Sequence, residues 1–328
     1  MHIEADVVKE YIENSTQVVI MAHRNLDLDA LGSSLGVYYL CKTLGKKACL
    51  LIEDDQHEAG VARSFSELNR LKINLQIKKF SQIENKIDAK TLLIVLDTHM
   101  PNLVQNELAL QIPNIITIDH HIIGEGNRIA SSYEYIEYEQ SSSVEIIIEL
   151  LSHLNIYIHP YIATIMLAGI FIDTNGFFSK TSKKTHEGAA YLYLCGATLK
   201  ELQYLLKEDI EKYNDRQRVI SESKIINNQF IIAVGHEHYL YDKEDLAKIS
   251  DTMLLFNQVE ASFTIGKIDT DTIGISARSL GNINVQMIME QLGGGGHASD
   301  AATQLNGDTL EGIRLKLKSI INKLEGGL

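Results

Sequence analysis

The sequence predicts an α/β protein: a parallel sheet flanked by helices, followed by a smaller α/β domain on a mixed sheet. Three observations predict it. Short apolar runs of strand length alternate with helical patterns through the first half, as strand–helix–strand units require. The second half changes to paired β runs joined by turn residues, then helices. The chain has 328 residues and 45% hydrophobic content, ample for more than one packed core.

Residues 18–21 are a short apolar run that reads as a buried strand. Asp29 then precedes a helical pattern with Leu31, Leu35, Tyr38 and Tyr39 on one face, stopped at Gly45. Residues 48–52, 91–96 and 115–118 read as three further strands. The serines at 141–143 can cap a helix carrying Val144, Ile147, Ile148 and Leu151. Pro160 suits the first turn of another helix running toward Asp173. A helix over 185–194 is closed by Gly196. Residues 198–223 look helical and charged and read as a linker, which divides the chain into domains 1–197 and 224–328. Beyond it, Asn227-Asn228 joins one hairpin and Asp269-Thr270-Asp271 another. Residues 282–292 read as a helix, four glycines follow, and 308–324 is a final helix.

Lys and Arg number 30 against 43 Asp and Glu, for a net charge of −13. That balance argues against coating long nucleic acid, whose binding needs a basic field. A small phosphate ligand remains possible where bound cations invert the local charge. The cysteines Cys41, Cys49 and Cys195 form no C-x-x-C pair, so reduced thiols in a cytoplasmic protein are expected. No apolar run reaches membrane-helix length, and the acidic start does not read as a signal peptide.

The informative residues follow the buried runs. His23, Asp27 and Asp29 fall where the first strand gives way to a helix; Asp97 follows the run at 92–96; Asp119, His120 and His121 follow 115–118; Asp173 ends 167–172. Ligands of open parallel sheets bind at the carboxyl ends of strands. Each residue alone has an ordinary reading: Asp29 as a helix N-cap, Asp97 and Asp173 as turn residues, His120 as a satisfied polar group. Together they form a carboxylate cluster that repels itself unless cations or shared protons relieve it. Carboxylates with imidazoles and no thiolate suit Mn²⁺, with Mg²⁺, Co²⁺ or Zn²⁺ as alternatives. Two such ions can activate water for phosphoester hydrolysis.

At these residues the chain resembles the DHH phosphoesterases. His23, Asp27 and Asp29 match their first motif, Asp97 the second, Asp119-His120-His121 the third and Asp173 the fourth. Ser276 to Ser279 and the run Gly293, Gly294, Gly295, Gly296 and His297 resemble the DHH-associated C-terminal domain. The resemblance implies two metal ions. His23, Asp27 and Asp97 would hold one, and Asp29, Asp97, His120 and Asp173 the other. His121 would lie near the scissile phosphate, and Asp119 would orient the histidine pair. The C-terminal stretches resemble those of bacterial cyclic-di-AMP phosphodiesterases, which implies hydrolysis of cyclic di-AMP to linear pApA. The implied setting is the cytoplasm, free or as the cytosolic part of a membrane-anchored protein, with a homodimer one permitted assembly. Ala298-Ser299-Asp300 departs from the Leu-Thr-Asn expected there.

In that second domain Arg278, Asn284, Gly294, Gly295, Gly296 and His297 are the expected substrate contacts. Glycines let backbone approach a ligand and offer N–H groups to phosphate, and Arg binds phosphate bidentately. The ordinary alternatives are a flexible turn for the glycines and a surface ion pair for Arg278. Competing functions are hydrolysis of pApA or very short oligonucleotides, pyrophosphate hydrolysis, and an inactive nucleotide-binding sensor.

Overall fold

The computed structural model describes residues 3–54, 57–123 and 126–325. The chain forms two compact units, residues 1–207 and 208–328.

The first unit opens with α1 (Ala5–Asn14) and continues β1 (Val18–Met21), α2 (Leu28–Thr43), β2 (Ala48–Leu51), α3 (Ala59–Arg70), β3 (Ile77–Lys78), β4 (Leu92–Leu96), β5 (Asn114–Asp119) and β6 (Tyr133–Ile136). Four helices follow: α4 (Ser143–His153), α5 (Pro160–Asp173), α6 (Lys183–Leu194) and α7 (Leu199–Leu205). The six strands are all parallel, in the order β3-β2-β1-β4-β5-β6. Both faces are covered, which is why the strands are continuous apolar runs rather than alternating ones. Val18, Ile20, Leu92, Ile94 and Leu96 face the core under α2, α4 and α5. Val19, Met21, Leu93 and Val95 face a second core with Phe80, Ile83, Val104 and Ile112.

The helix expected after Asp29 is α2, but it is not amphipathic. It buries residues around its whole circumference, and its N-cap is Asp27, which accepts from the Ala30 amide at 2.8 Å. Its close partner is α5. A Cβ on Gly169 would sit 2.8 Å from the Asp29 Cα, and one on Gly32 would sit 3.0 Å from the Met166 Cα. The glycines therefore let two helix backbones approach at the position where α2 delivers its carboxylates.

The second unit contains α8 (Ile210–Glu222), β7 (Lys224–Ile226), β8 (Phe230–Val234), α9 (Lys243–Met253), β9 (Ala261–Lys267), β10 (Thr272–Ser279), α10 (Val285–Glu290), β11 (Gly295–Gly296), β12 (Asp300–Asn306) and α11 (Leu310–Glu325). Its sheet is mixed, ordered β11-β12-β10-β9-β8-β7, with β8 and β9 parallel and the other pairs antiparallel. Asn227 and Asn228 both take positive φ, 53° and 60°, which closes the expected hairpin between β7 and β8. Helices α10 and α11 cover one core, and α8 and α9 the other.

The segment expected to link two domains is divided instead. Helix α7 packs on α3 and α5 in the first unit, through buried Leu202 and Leu205. Helix α8 packs on α9 and β8 in the second, where Val219 and Ile220 are buried and Arg216 pairs with Asp245 at 2.7 Å. Polar composition concealed two partly buried helices, because each shows solvent one broad charged face. Strand β12 and helices α1, α3 and α9 are additions that periodicity did not resolve.

Candidate metal and phosphate site

Strands β1, β4 and β5 are neighbours, so their carboxyl ends lie side by side. His23 follows β1, Asp97 follows β4, and Asp119 ends β5 with His120 and His121 behind it. Asp27 and Asp29 come from the start of α2, and Asp173 is the last residue of α5. Parallel pairing thus gathers residues separated by up to 150 positions in sequence.

Asp97 lies at the centre. Its Oδ2 is 3.3 Å from His23 Nε2, and its Oδ1 is 3.4 Å from His120 Nε2 and 3.6 Å from His121 Nδ1. Its backbone takes φ +59°, a left-handed conformation unusual for a residue other than glycine. The Asp97 N–H donates to the Ile118 carbonyl, which ties the strained residue to β5. His23 Nε2 also lies 3.3 Å from Asp27, and His120 Nε2 lies 3.6 Å from Asp173 and 3.9 Å from Asp29. Three groups each have ligand atoms within 4.8 Å of one another: His23, Asp27 and Asp97; Asp29, His120 and Asp173; and Asp97, His120 and His121.

The charges in this cluster depend strongly on one another. Burial drives the Asp29 carboxyl well above its usual range, reinforced by Asp97 and Asp173. Burial likewise pushes Asp173 up to about 7. Burial opposes a charge on His23 and His120, but hydrogen bonds to Asp97, joined at His23 by Asp27, outweigh it and raise the two imidazoles to about 11 and about 10. Burial also opposes ionisation of Asp97, yet His120 and His23 keep it below the usual carboxylate range. Divalent cations would relieve the same repulsion, and the oxygen and nitrogen donors without thiolate fit such ions.

Asp119 is fully buried and does not orient both neighbouring histidines. It accepts from His121 at 2.8 Å and pairs with His99 Nδ1 at 2.5 Å, while His120 turns to Asp97 and Asp173. His121 keeps 56% of its side chain exposed, so its Nε2 is the atom left to meet a ligand. His99, two residues beyond Asp97, was not singled out in the sequence; its D-x-H spacing was the available signal. The reading of Asp29 as an N-cap also changes. Asp27 caps α2, and Asp29 instead accepts from the Ser143 and Val144 amides at 2.8 and 2.9 Å. Gln105 fixes the backbone beneath His23, donating to the His23 and Arg24 carbonyls at 2.7 and 2.8 Å.

In the second unit, Arg278, Gly293, Gly294 and Gly295 line a cavity of about 580 Å³ with Lys243, Ser276 and Gln304. Arg278 is already engaged: its Nε lies 3.1 Å from Asp251 and 3.2 Å from Asp300. The glycines are neither a simple turn nor a free loop. Gly295 and Gly296 pair with β12, and a Cβ on Gly294 would sit 2.3 Å from the Ala302 carbonyl. Asn284 caps α10, accepting from the Met287 amide at 3.2 Å. His297 is exposed, its N–H donating to the Asp300 carbonyl. Neither Asn284, Gly296 nor His297 is among the described residues lining the cavity.

Residues 17–170 match the family model described as "DHH family, N-terminal domain", and residues 227–323 match "DHHA1 domain". The chain belongs to the DHH family. It is 37% identical over 98% of its length to a cyclic-di-AMP phosphodiesterase, GdpP, of Geobacillus thermodenitrificans. It is 38% identical over 97% of its length to a cyclic-di-AMP phosphodiesterase, PdeA, of Listeria monocytogenes. In both cases it spans about half the relative's length, 49%. A bifunctional oligoribonuclease and PAP phosphatase, NrnA, of Thermus thermophilus is 26% identical over 95% of this chain and 90% of its own. An exopolyphosphatase-related protein from Bacteroides fragilis has the same fold, with a TM-score of 0.78, 19% identity, and coverage of 97% of this chain and 95% of that one. Among the described residues no helix is long and apolar enough to cross a membrane.

Proposed function

We propose that this chain is a metal-dependent phosphodiesterase that opens cyclic di-AMP to linear pApA. The observation that carries the proposal is Asp97, a buried carboxylate in left-handed backbone, with His23 on one oxygen and His120 on the other. In this reading His23, Asp27 and Asp97 hold one divalent ion, and Asp29, Asp97, His120 and Asp173 hold the second. Mn²⁺ suits the mixed donors best, with Mg²⁺ or Co²⁺ as substitutes. Bound ions supply water activation and charge neutralisation at the phosphate.

The chain's own residues do the rest. Asp119, locked by His99, holds the His121 ring so that Nε2 can deliver a proton. Water adds to phosphorus, the bond to the 3′ oxygen breaks, and that oxygen takes the proton. One water is consumed, and the ring opens to a linear dinucleotide. Arg278 and the glycines beside it are the proposed phosphate contacts in the second unit. Similarity to cyclic-di-AMP phosphodiesterases over nearly the whole chain supports this substrate.

A second reading is hydrolysis of pApA or very short oligonucleotides, favoured by likeness to a relative of comparable length. The experiment incubates the protein with Mn²⁺ and, separately, cyclic di-AMP, pApA and pyrophosphate, and resolves products by chromatography. Cyclic di-AMP is expected to give pApA with the highest kcat/KM. Faster consumption of pApA selects the second reading, and fast pyrophosphate hydrolysis rejects both.

A further inference from the structure

Helix α4 contributes none of the expected metal ligands, yet its first residue grips two of them. The Ser143 N–H donates to Asp29 Oδ2 at 2.8 Å, and the Ser143 hydroxyl donates to Asp97 Oδ1 at 3.0 Å. The next amide, Val144, donates to the other Asp29 oxygen at 2.9 Å. Asp29 arrives on α2, Asp97 on the loop after β4, and Ser143 from more than 40 residues farther along the chain. A single residue therefore sets the distance between two carboxylates that the fold brings from different elements.

Ser143 is itself held from behind. Ser142 caps α4, accepting from the Glu145 amide at 3.1 Å. Glu145 is 3% exposed and turns back to the loop. Its Oε2 accepts from the Ser141 amide at 3.2 Å, the Ser141 hydroxyl at 2.5 Å and the Thr185 hydroxyl at 2.8 Å. Gln140, with its amide nitrogen toward Glu145, donates to the other oxygen and accepts from Lys184 at 3.1 Å. A capping role alone would explain Ser142 and part of Glu145. It would not explain why the Ser143 hydroxyl points at Asp97, since helix capping needs no such contact.

We infer that Ser143 is a positioning residue for the paired carboxylates Asp29 and Asp97, and that Glu145 fixes Ser143 through the serine loop. The hydrogen bonds occupy one lone pair on each Asp29 oxygen and one on Asp97 Oδ1, and leave the others for cations. Metal affinity thus depends on a hydroxyl that touches no metal. The inference rests on the proposed metal site.

The test is Mn²⁺ binding to metal-stripped protein by isothermal titration calorimetry, with thermal melting of the same samples. Ser143→Ala should weaken Mn²⁺ binding by about tenfold or more while the protein remains folded. Glu145→Gln should weaken it in the same direction. Ser142→Ala removes the cap and should lower Tm at least as much as Ser143→Ala, with Mn²⁺ affinity close to wild type. Wild-type affinity in Ser143→Ala overturns the inference, and so does equal loss in Ser142→Ala, which would mean that helix loosening is the cause. Wild-type affinity in Glu145→Gln overturns the part assigned to Glu145. Wild-type protein that binds no Mn²⁺ overturns the metal site as well, whereas two ions bound with equal affinity by wild type and Ser143→Ala overturn only the positioning role.

Discussion

The two units handle buried charge in opposite ways. In the first, Asp27, Asp29, Asp97 and Asp173 converge around imidazoles, and Asp29 and Asp173 are pushed toward holding protons. In the second, the Arg278 cation is met by two carboxylate neighbours, Asp251 and Asp300. A surplus of one sign in a buried place costs several kcal/mol unless something neutralises it, so it marks a site that expects a ligand. A cation already met by carboxylates carries no such demand. The comparison teaches that the first unit gathers donors that could hold cations, while Arg278 already faces two aspartates.

The sharpest way to break this contrast is to remove its centre. Asp97→Ala should abolish Mn²⁺ binding at both positions and bring turnover to background, with the fold retained. Calorimetry and a hydrolysis assay check it, and two ions bound with normal turnover would contradict the shared role of Asp97. A smaller effect is expected in the second unit. Arg278→Ala should leave metal content unchanged and raise KM by about tenfold, more than it lowers kcat, because it removes binding common to ground and transition states. Steady-state kinetics with metal analysis decide this, and loss of metal would contradict a role for Arg278 in substrate binding alone.

The smallest effect separates protons from cations. His23 and His120 are raised to about 11 and about 10 without metal, so at neutral pH each carries a proton that a cation must displace. Lower pH favours the proton, higher pH the metal. Apparent Mn²⁺ affinity should therefore rise from pH 6 to pH 8, with net proton release measured by calorimetry in two buffers of different ionisation enthalpy. An affinity independent of pH would mean that the imidazoles do not bind the ion.

The sequence alone determined the parallel sheet and the places where the clustered acids and imidazoles leave it. An apolar run followed at once by Asp97, or by Asp119-His120-His121, is a local pattern, since a buried strand and the residue after it are covalently adjacent. The same locality exposed the Asn227-Asn228 hairpin and the start of α5 at Pro160. Tertiary structure alone decided which partner each side chain takes. Asp29 went to the α4 amides rather than capping its own helix, and Asp119 to His99 and His121 rather than to both adjacent histidines. It also turned the glycine run into a strand pairing with β12 and divided the expected linker between two cores. Hydrogen bonds between residues 114 positions apart, such as Asp29 and Ser143, leave no periodic trace in the chain. Their geometry exists only after the sheet has brought the strand ends together and the helices have packed over them.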